Sequence, residues 1–264
     1  MKPYIGAQKN HTDVPDPTLF CRHTHEEYEL LCFISGDADY VIEGHAYPLA
    51  PGDIMLTKRA ETHALRMHSI VPYTRYVIYF NAEALLGDFS QSLPPIMDAK
   101  PLGKFNRTVS NDAAQREAWL SYVRRITAAS NLEEKRLYLT VLIAEICRNL
   151  GATTEEKPQA DTDHLIEYVN RHLLEIRSLE ELCEKFYISK THLNRKFKAM
   201  TGSTVWDYVV SKRLIAAKEM LMAGATPGEV SERCGYEEYS AFYRTYKRRF
   251  GVSPKEDRKN HNHQ

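Results

Sequence analysis

The chain has 264 residues, 43% hydrophobic and 27% charged, with a formal net charge of zero. That length suits two ordinary domains, since one core usually serves about 100 to 200 residues. No apolar run approaches the roughly 18 residues that cross a bilayer. Met1 to Asn10 lacks the apolar centre of a secretory signal, so a membrane protein is excluded and a cytoplasmic location is expected. Five cysteines (Cys21, Cys32, Cys147, Cys183, Cys234) contain no CxxC pair. They read as free thiols, not a disulfide frame or a zinc site.

In chain order, Phe20 to Asn81 reads as short extended runs split by turns: Glu29 to Ser35, Asp39 to Ile42, Asp53 to Thr57, His63 to His68 and Tyr73 to Phe80. Glu43-Gly44 reads as a tight hairpin turn, and Pro51-Gly52-Asp53 as another. Such spacing predicts a small barrel or sandwich. Two helices follow, Asp112 to Ala129 and Leu132 to Leu150. In the second, Leu139, Ile143, Cys147 and Leu150 form one apolar row, beside a second row of Leu137, Val141 and Ala144. A face that broad either covers the sheet or meets a second copy of the chain. Residues 151 to 161 read as a linker. Everything after it is helical: Thr162 to Leu174, Leu179 to Lys185, Ser189 to Met200, Thr204 to Met222, Pro227 to Arg233 and Ser240 to Phe250.

The neutral total hides an asymmetry. Residues 161 to 264 carry 18 basic and 15 acidic side chains, and within them 185 to 213 carry seven and one, 240 to 259 seven and two. Two basic stretches are what a phosphate-binding surface requires. They fall on an internal repeat: Leu193, Arg195, Phe197, Lys198 and Gly202 recur as Phe242, Arg244, Tyr246, Lys247 and Gly251, and Leu182 as Val230. Each copy is a short helix, a tight turn and a longer helix, which is a helix-turn-helix. Leu193, Phe197 and Met200 point inward in the first long helix, leaving Lys190, Thr191, Asn194, Arg195 and Lys198 outside. In the second, Phe242, Tyr246 and Phe250 point inward, leaving Tyr239, Ser240, Tyr243, Arg244 and Lys247 outside. These outer faces combine side chains able to read base edges with cations for phosphates.

The stretch GYEEYSAFYRTYKRRFGVSPKEDR resembles the signature of the AraC/XylS transcriptional regulators, and YISKTHLNRKFKAMTG matches it in the first copy. The resemblance covers residues 162 to 258. It implies two helix-turn-helix units joined by a long helix, with base contacts from Thr191, Asn194 and Arg195 and from Tyr239, Ser240, Tyr243 and Arg244. Asp257 departs from the family's aromatic residue, which questions how the C-terminal tail packs.

His23, His25 and Glu29 stand at i, i+2 and i+6, on one face of a strand. With Gly36 they match the cupin motif HxHx3Ex6G. Gly52 and His63 keep the spacing of a second cupin motif in which Lys58, Ala60 and Met67 replace the usual residues. The segment from 15 to 85 is similar to the cupin-like effector domain that AraC relatives often carry. His23, His25, Glu29 and His63 would suit a divalent transition metal such as zinc, iron or manganese, or form a polar lining without one. His68, at odd spacing from His63, faces the other way. Of the aromatics Tyr28, Phe33, Tyr40, Tyr47, Tyr76 and Phe80, most read as core, while one or two, such as Tyr40 and Tyr76, line a pocket able to stack on a sugar or other flat ligand. Arg22 or Arg75 would hold an anionic group.

The expectation is an α+β protein of two domains. Residues 1 to 150 form a cupin-like β-barrel with two following helices, 162 to 258 an all-α tandem helix-turn-helix domain, and 259 to 264 a tail. The expected function is sequence-specific regulation of transcription on double-stranded DNA by a homodimer that senses a small-molecule effector, a carbohydrate among the fitting classes, with RNA polymerase as partner if it activates. The rivals are a metal-dependent cupin oxygenase or isomerase with an accessory helical domain, and an architectural DNA-binding protein.

Overall fold

A computed structural model describes residues 2–15, 23–108, 110, 112–149 and 163–262. Cys21, Arg22, Leu150 and the linker at 151–161 lie outside the described residues. The chain divides into two compact units, Lys2–Gln159 and Ala160–Gln264.

Among the described residues, the first unit has eight strands: β1 (Ile5–Thr12), β2 (Tyr28–Ser35), β3 (Ala38–Ile42), β4 (His45–Pro48), β5 (Ile54–Thr57), β6 (His63–Met67), β7 (Tyr73–Phe80) and β8 (Arg107–Thr108). They form two antiparallel sheets, ordered β1-β7-β2-β5-β8 and β4-β3-β6. The expected barrel is not closed. No strand ladder among the described residues joins the sheets, and between them lies a core of Leu31, Phe33, Met55 and Tyr73 from one and Tyr40, Ile42, Tyr47 and Leu65 from the other. Strands β1 and β8 were not expected. β1 adds an edge to β7 with Ile5 opposite Phe80 and Thr12 opposite Tyr73. Its run IGAQKNHT has a half-exposed pattern too polar to announce itself. The Glu43-Gly44 turn joins β3 to β4 with both residues at positive φ, as a two-residue hairpin of right-handed twist requires.

The opposite face of the larger sheet is covered by helices α1 (Phe89–Ala99), α2 (Ala113–Ala128) and α3 (Leu132–Asn149). Tyr28, Leu30, Cys32, Tyr76, Ile78 and Phe80 pack there against Trp119, Val123, Ile126, Leu139, Leu142, Ile143 and Ile146. Because β2 is buried on both faces, its sequence YELLCFIS is nearly continuous in apolar residues, not alternating. Helix α1, with Pro94 and Pro95 inside it, had no sequence signal of its own. The α2–α3 pair therefore covers the sheet, with Ile143 fully buried, whereas Leu137 of the second apolar row is 52% exposed.

The second unit is helical: α4 (Asp163–Arg171), α5 (Leu179–Phe186), α6 (Lys190–Thr201), α7 (Val205–Met222), α8 (Pro227–Arg233), α9 (Tyr239–Phe250) and α10 (Pro254–Asn262). Start signals recur at four of these helices. Ser178, Ser189, Thr204 and Thr226 each accept the amide three residues on, satisfying a donor that the first helical turn leaves unpaired. Two separate cores form along α7. The first joins Leu165, Val169, Leu182, Leu193 and Phe197 to Val205, Tyr208 and Val209, and the second joins Val230, Phe242 and Tyr246 to Leu214, Ala217 and Leu221. Helix α10 was not expected. Asp257 fits its packing by accepting a 2.6 Å hydrogen bond from the Tyr246 hydroxyl, and Arg258 donates to the Gly224 carbonyl.

Candidate ligand pocket and nucleic-acid interface

Between the two sheets, Glu29 of β2 is the centre of a polar cluster. One carboxylate oxygen, Oε2, lies 3.0 Å from His25 Nε2, 3.1 Å from His63 Nε2 and 3.9 Å from His23 Nε2. The other, Oε1, accepts the Tyr40 hydroxyl at 2.7 Å. Tyr40 and His63 belong to the smaller sheet, so these bonds span the two layers. His23 enters through an isolated bridge to His63 and is half exposed, whereas the His63 side chain is fully buried. Burial alone would raise the Glu29 carboxyl, but the charge of His63 and the close approach of the three imidazoles hold it well below the usual carboxylate range. Burial and the adjoining Glu29 charge push the Tyr40 hydroxyl well up.

The imidazole tautomers follow from the backbone. His25 Nδ1 lies 3.1 Å from the Glu27 carbonyl and His63 Nδ1 2.8 Å from the Glu61 carbonyl. A carbonyl oxygen only accepts, so both Nδ1 atoms carry hydrogen. If these rings are neutral, both Nε2 lone pairs face a carboxylate oxygen. Bare, that arrangement is repulsive; it is relieved by protonating the rings or by a cation at the convergence point. The four donor groups lie within 4.8 Å of one another, somewhat wider than the roughly 4 Å that ligands about 2 Å from a common ion can span, so a small inward shift would complete the site. Backbone carbonyls on the far ring nitrogens also match the outer partners that orient metal-bound histidines. The residues fit a divalent metal.

Tyr76 does not face this cluster. It points to the helices, with Ile78 and Phe80, because strand side chains alternate and Arg75 and Tyr76 are neighbours. The inward set of β7 is Tyr73, Arg75, Val77 and Tyr79. Tyr79 pairs with Glu29 across the strands, and its ring lies 5.2 Å from that of His25. Parity with Arg75 was the available signal for Tyr79. Arg75 donates to the Tyr73 hydroxyl at 3.0 Å. His68 faces away and pairs with Asp39 at 3.0 Å.

In the helical unit, Leu193, Phe197 and Met200 are buried, as are Phe242 and Tyr246, while Phe250 is half-buried. The opposite faces expose Thr191, Arg195 and Lys198 on α6 and Tyr239, Ser240, Arg244 and Lys247 on α9. Tyr243 is half-buried beneath the Lys247 ammonium. Two side chains do more than face outward. Lys190 is ion-paired with Glu180 of α5. Asn194 Oδ1 accepts the Val205 amide at 3.2 Å, which ties α6 to the start of α7 and leaves only Nδ2 for an adenine edge. His192, exposed one turn before Arg195 and 3.4 Å from its guanidinium, joins the first face, and Arg248 and Arg249 extend the second. With no apolar periodicity to mark them, these three were not singled out in the sequence.

Residues 15–163 match the AraC-like ligand-binding domain family, and residues 182–260 match a helix-turn-helix domain family. Among curated proteins, the chain is similar to the HTH-type transcriptional activator RhaS of Escherichia fergusonii, with 23% identity over 90% of this chain and 87% of that protein. It is also similar to the HTH-type transcriptional activator RhaR of Enterobacter sp. (strain 638), with 24% identity over 89% and 86%. Among solved structures, ToxT of Vibrio cholerae aligns with a TM-score of 0.39 and 13% identity, covering 96% of this chain and 97% of that one.

Proposed function

The chain belongs to the AraC family of transcriptional regulators, with an AraC-like ligand-binding domain ahead of a helix-turn-helix DNA-binding domain, and on that footing we propose that it is an effector-controlled activator. The carrying observation is the pair of outward cationic faces, Thr191, Arg195 and Lys198 on α6 and Tyr239, Ser240, Arg244 and Lys247 on α9, each mounted on its own buried core. Phosphate contacts from the lysines position the helices, and Arg195 and Arg244 are suited to grip guanine edges. The effector is a small molecule seated between the sheets, with Tyr40, Tyr79 and Arg75 offering the stacking and hydrogen bonding that a sugar requires. Its binding shifts the population of DNA-competent states in a cytoplasmic homodimer whose activation step is contact with RNA polymerase. The outer row of α3, Leu137, Val141 and Ala144, is the candidate dimer surface; Ile143 is not part of it, being buried within one chain.

Selection of the full-length protein on randomised duplexes tests this reading. One preferred sequence, bound with steep salt dependence and changed in affinity by a sugar, supports it; binding without sequence preference sinks it in favour of an architectural role. The relatives are transcriptional activators, so regulation is favoured over catalysis by the cupin-like domain. Turnover of a small substrate is the outcome that would support an oxygenase or isomerase.

A divalent metal at His23, His25, Glu29 and His63 forms the second part of the proposal, supported by the two Nδ1–H tautomers that turn the Nε2 lone pairs of His25 and His63 to one point. The bound ion would neutralise Glu29 and offer an open position to an effector hydroxyl or carboxylate. Zinc and manganese titrations followed by thermal shift and elemental analysis check it. The wild type is expected to hold one ion per chain and the His25→Ala/His63→Ala double variant none; equal metal content in both removes the site.

A further inference from the structure

The two DNA-reading units have separate cores, and they meet at one buried cation. Arg213 lies at the middle of α7, between Val209, the last buried α7 residue of the first core, and Leu214, the first buried one of the second. It is 3% exposed. Its guanidinium reaches back to the segment joining α4 to α5, where Nε donates to the Leu173 carbonyl at 2.8 Å and Nη2 donates to the Ile176 carbonyl. That segment is itself shared: Ile176 is buried in the first core, and Leu174 packs against the second.

The second unit closes on the same group. The α8–α9 turn passes Gly235 directly over it, and a Cβ at that position would sit 3.1 Å from Arg213 Nη1 and 2.5 Å from Arg177 Nη1. Gly235 also has φ +78, so a side chain there would be strained by the backbone conformation and would crowd the Arg213 guanidinium. Cys234, the residue before it, directs its thiol to the Arg213 carbonyl at 3.6 Å. One residue thus holds carbonyls of the first unit with its side chain and touches the recognition turn of the second.

A buried guanidinium is an unexpected filler for a joint between two apolar cores, since burying a charge is costly unless its hydrogen bonds are met. A leucine would pack there without that cost, but it has no directional bonds. The planar fork has several donors in a fixed relative geometry, and it sets angle as well as distance. We propose that Arg213 is a positioning residue that fixes the twist and separation of α6 and α9, and thereby the spacing between the two half-sites that one chain accepts on DNA. The proposal rests on the DNA-binding role of this domain and is independent of the effector and the metal.

The experiment uses the full-length chain and a bipartite duplex selected from a randomised library. Companion duplexes carry the half-sites one base pair closer or farther apart, or have one half-site scrambled. The wild type is expected to bind the shifted duplexes at least about tenfold more weakly than the selected one. Arg213→Met is expected to bind all three spacings within about threefold of one another while retaining wild-type affinity for the duplex with a single half-site. Retained spacing discrimination overturns the proposal, as does an equal loss on the single half-site, because the residue would then serve folding alone. Should Arg213→Met fail to fold, Arg213→Lys keeps the charge without the fork and Gly235→Ala crowds it. Both carry the same expectation, and wild-type discrimination in both overturns it. If no preferred duplex is recovered for the wild type, the DNA-reading role fails first, and with it the basis for a spacing role.

Discussion

The two helix-turn-helix units solve the same packing problem with different local chemistry. Recognition helix α6 begins with Ser189 accepting the His192 amide, whereas α9 begins at Glu238, whose side chain makes no cap bond. The turns differ more. Tyr187 adopts φ 53 and is 94% exposed, while Gly235, its counterpart in the repeat, takes φ 78 against two guanidiniums. A left-handed non-glycine residue costs about 1 kcal/mol, which the first unit tolerates because the Tyr187 ring points into open solvent. In the second unit a side chain at this position would crowd the Arg213 and Arg177 guanidiniums. Matching apolar positions therefore define the unit, and the turn is adapted to its neighbours.

The variant expected to have the largest effect breaks the comparison at its core. Phe197→Ala and Phe242→Ala each remove a fully buried ring from a different cluster and are expected to cost about 3 to 5 kcal/mol. Hydrogen exchange should then show lost protection in the mutated unit and retained protection in the other; collapse of both in each variant would mean that the cores are one cooperative body. Next come Arg195→Ala and Arg244→Ala, expected to lose about 1 to 3 kcal/mol of specific binding and to relax base preference at one half-site each, whereas Lys198→Ala weakens all duplexes alike. Equal losses on selected and random duplexes would contradict base reading by the arginines. The smallest effect sharpens the difference at the helix starts. Ser189→Ala is expected to cost about 1 kcal/mol and Glu238→Ser to gain a similar amount, both read by denaturant unfolding. A gain at Ser189 or a loss at Glu238 would show that the cap is not what separates the two units.

Legibility differed with the kind of pattern. Leu193, Phe197, Phe242 and Tyr246 were readable because an amphipathic helix repeats its buried face every three to four residues. Their solvent-facing partners followed, except where a side chain turned back, as Asn194 does to Val205 and Lys190 to Glu180. In the β domain, the spacing of His23, His25 and Glu29 marked the cluster before any coordinates. Composition does not separate Tyr76 from Tyr79, since both are aromatic and only strand parity places Tyr79 beside Glu29 and Tyr76 against the helices. Strand β1 and helix α1 left little trace, one too polar and the other interrupted by prolines.

Local periodicity and motif spacing thus determined the two-domain plan, the tandem DNA-reading units and the three histidines around Glu29, since those properties depend on short-range patterns in the chain. Tertiary structure decided what depends on distant partners: that the sheets stay open, that α3 buries Ile143 against the larger one, that the Nδ1 atoms of His25 and His63 bear their hydrogens, and that Arg213 lies at the junction of two cores. A side chain's periodicity is set by its own helix or strand, whereas its hydrogen bonds and its burial are set by whatever the rest of the fold places against it.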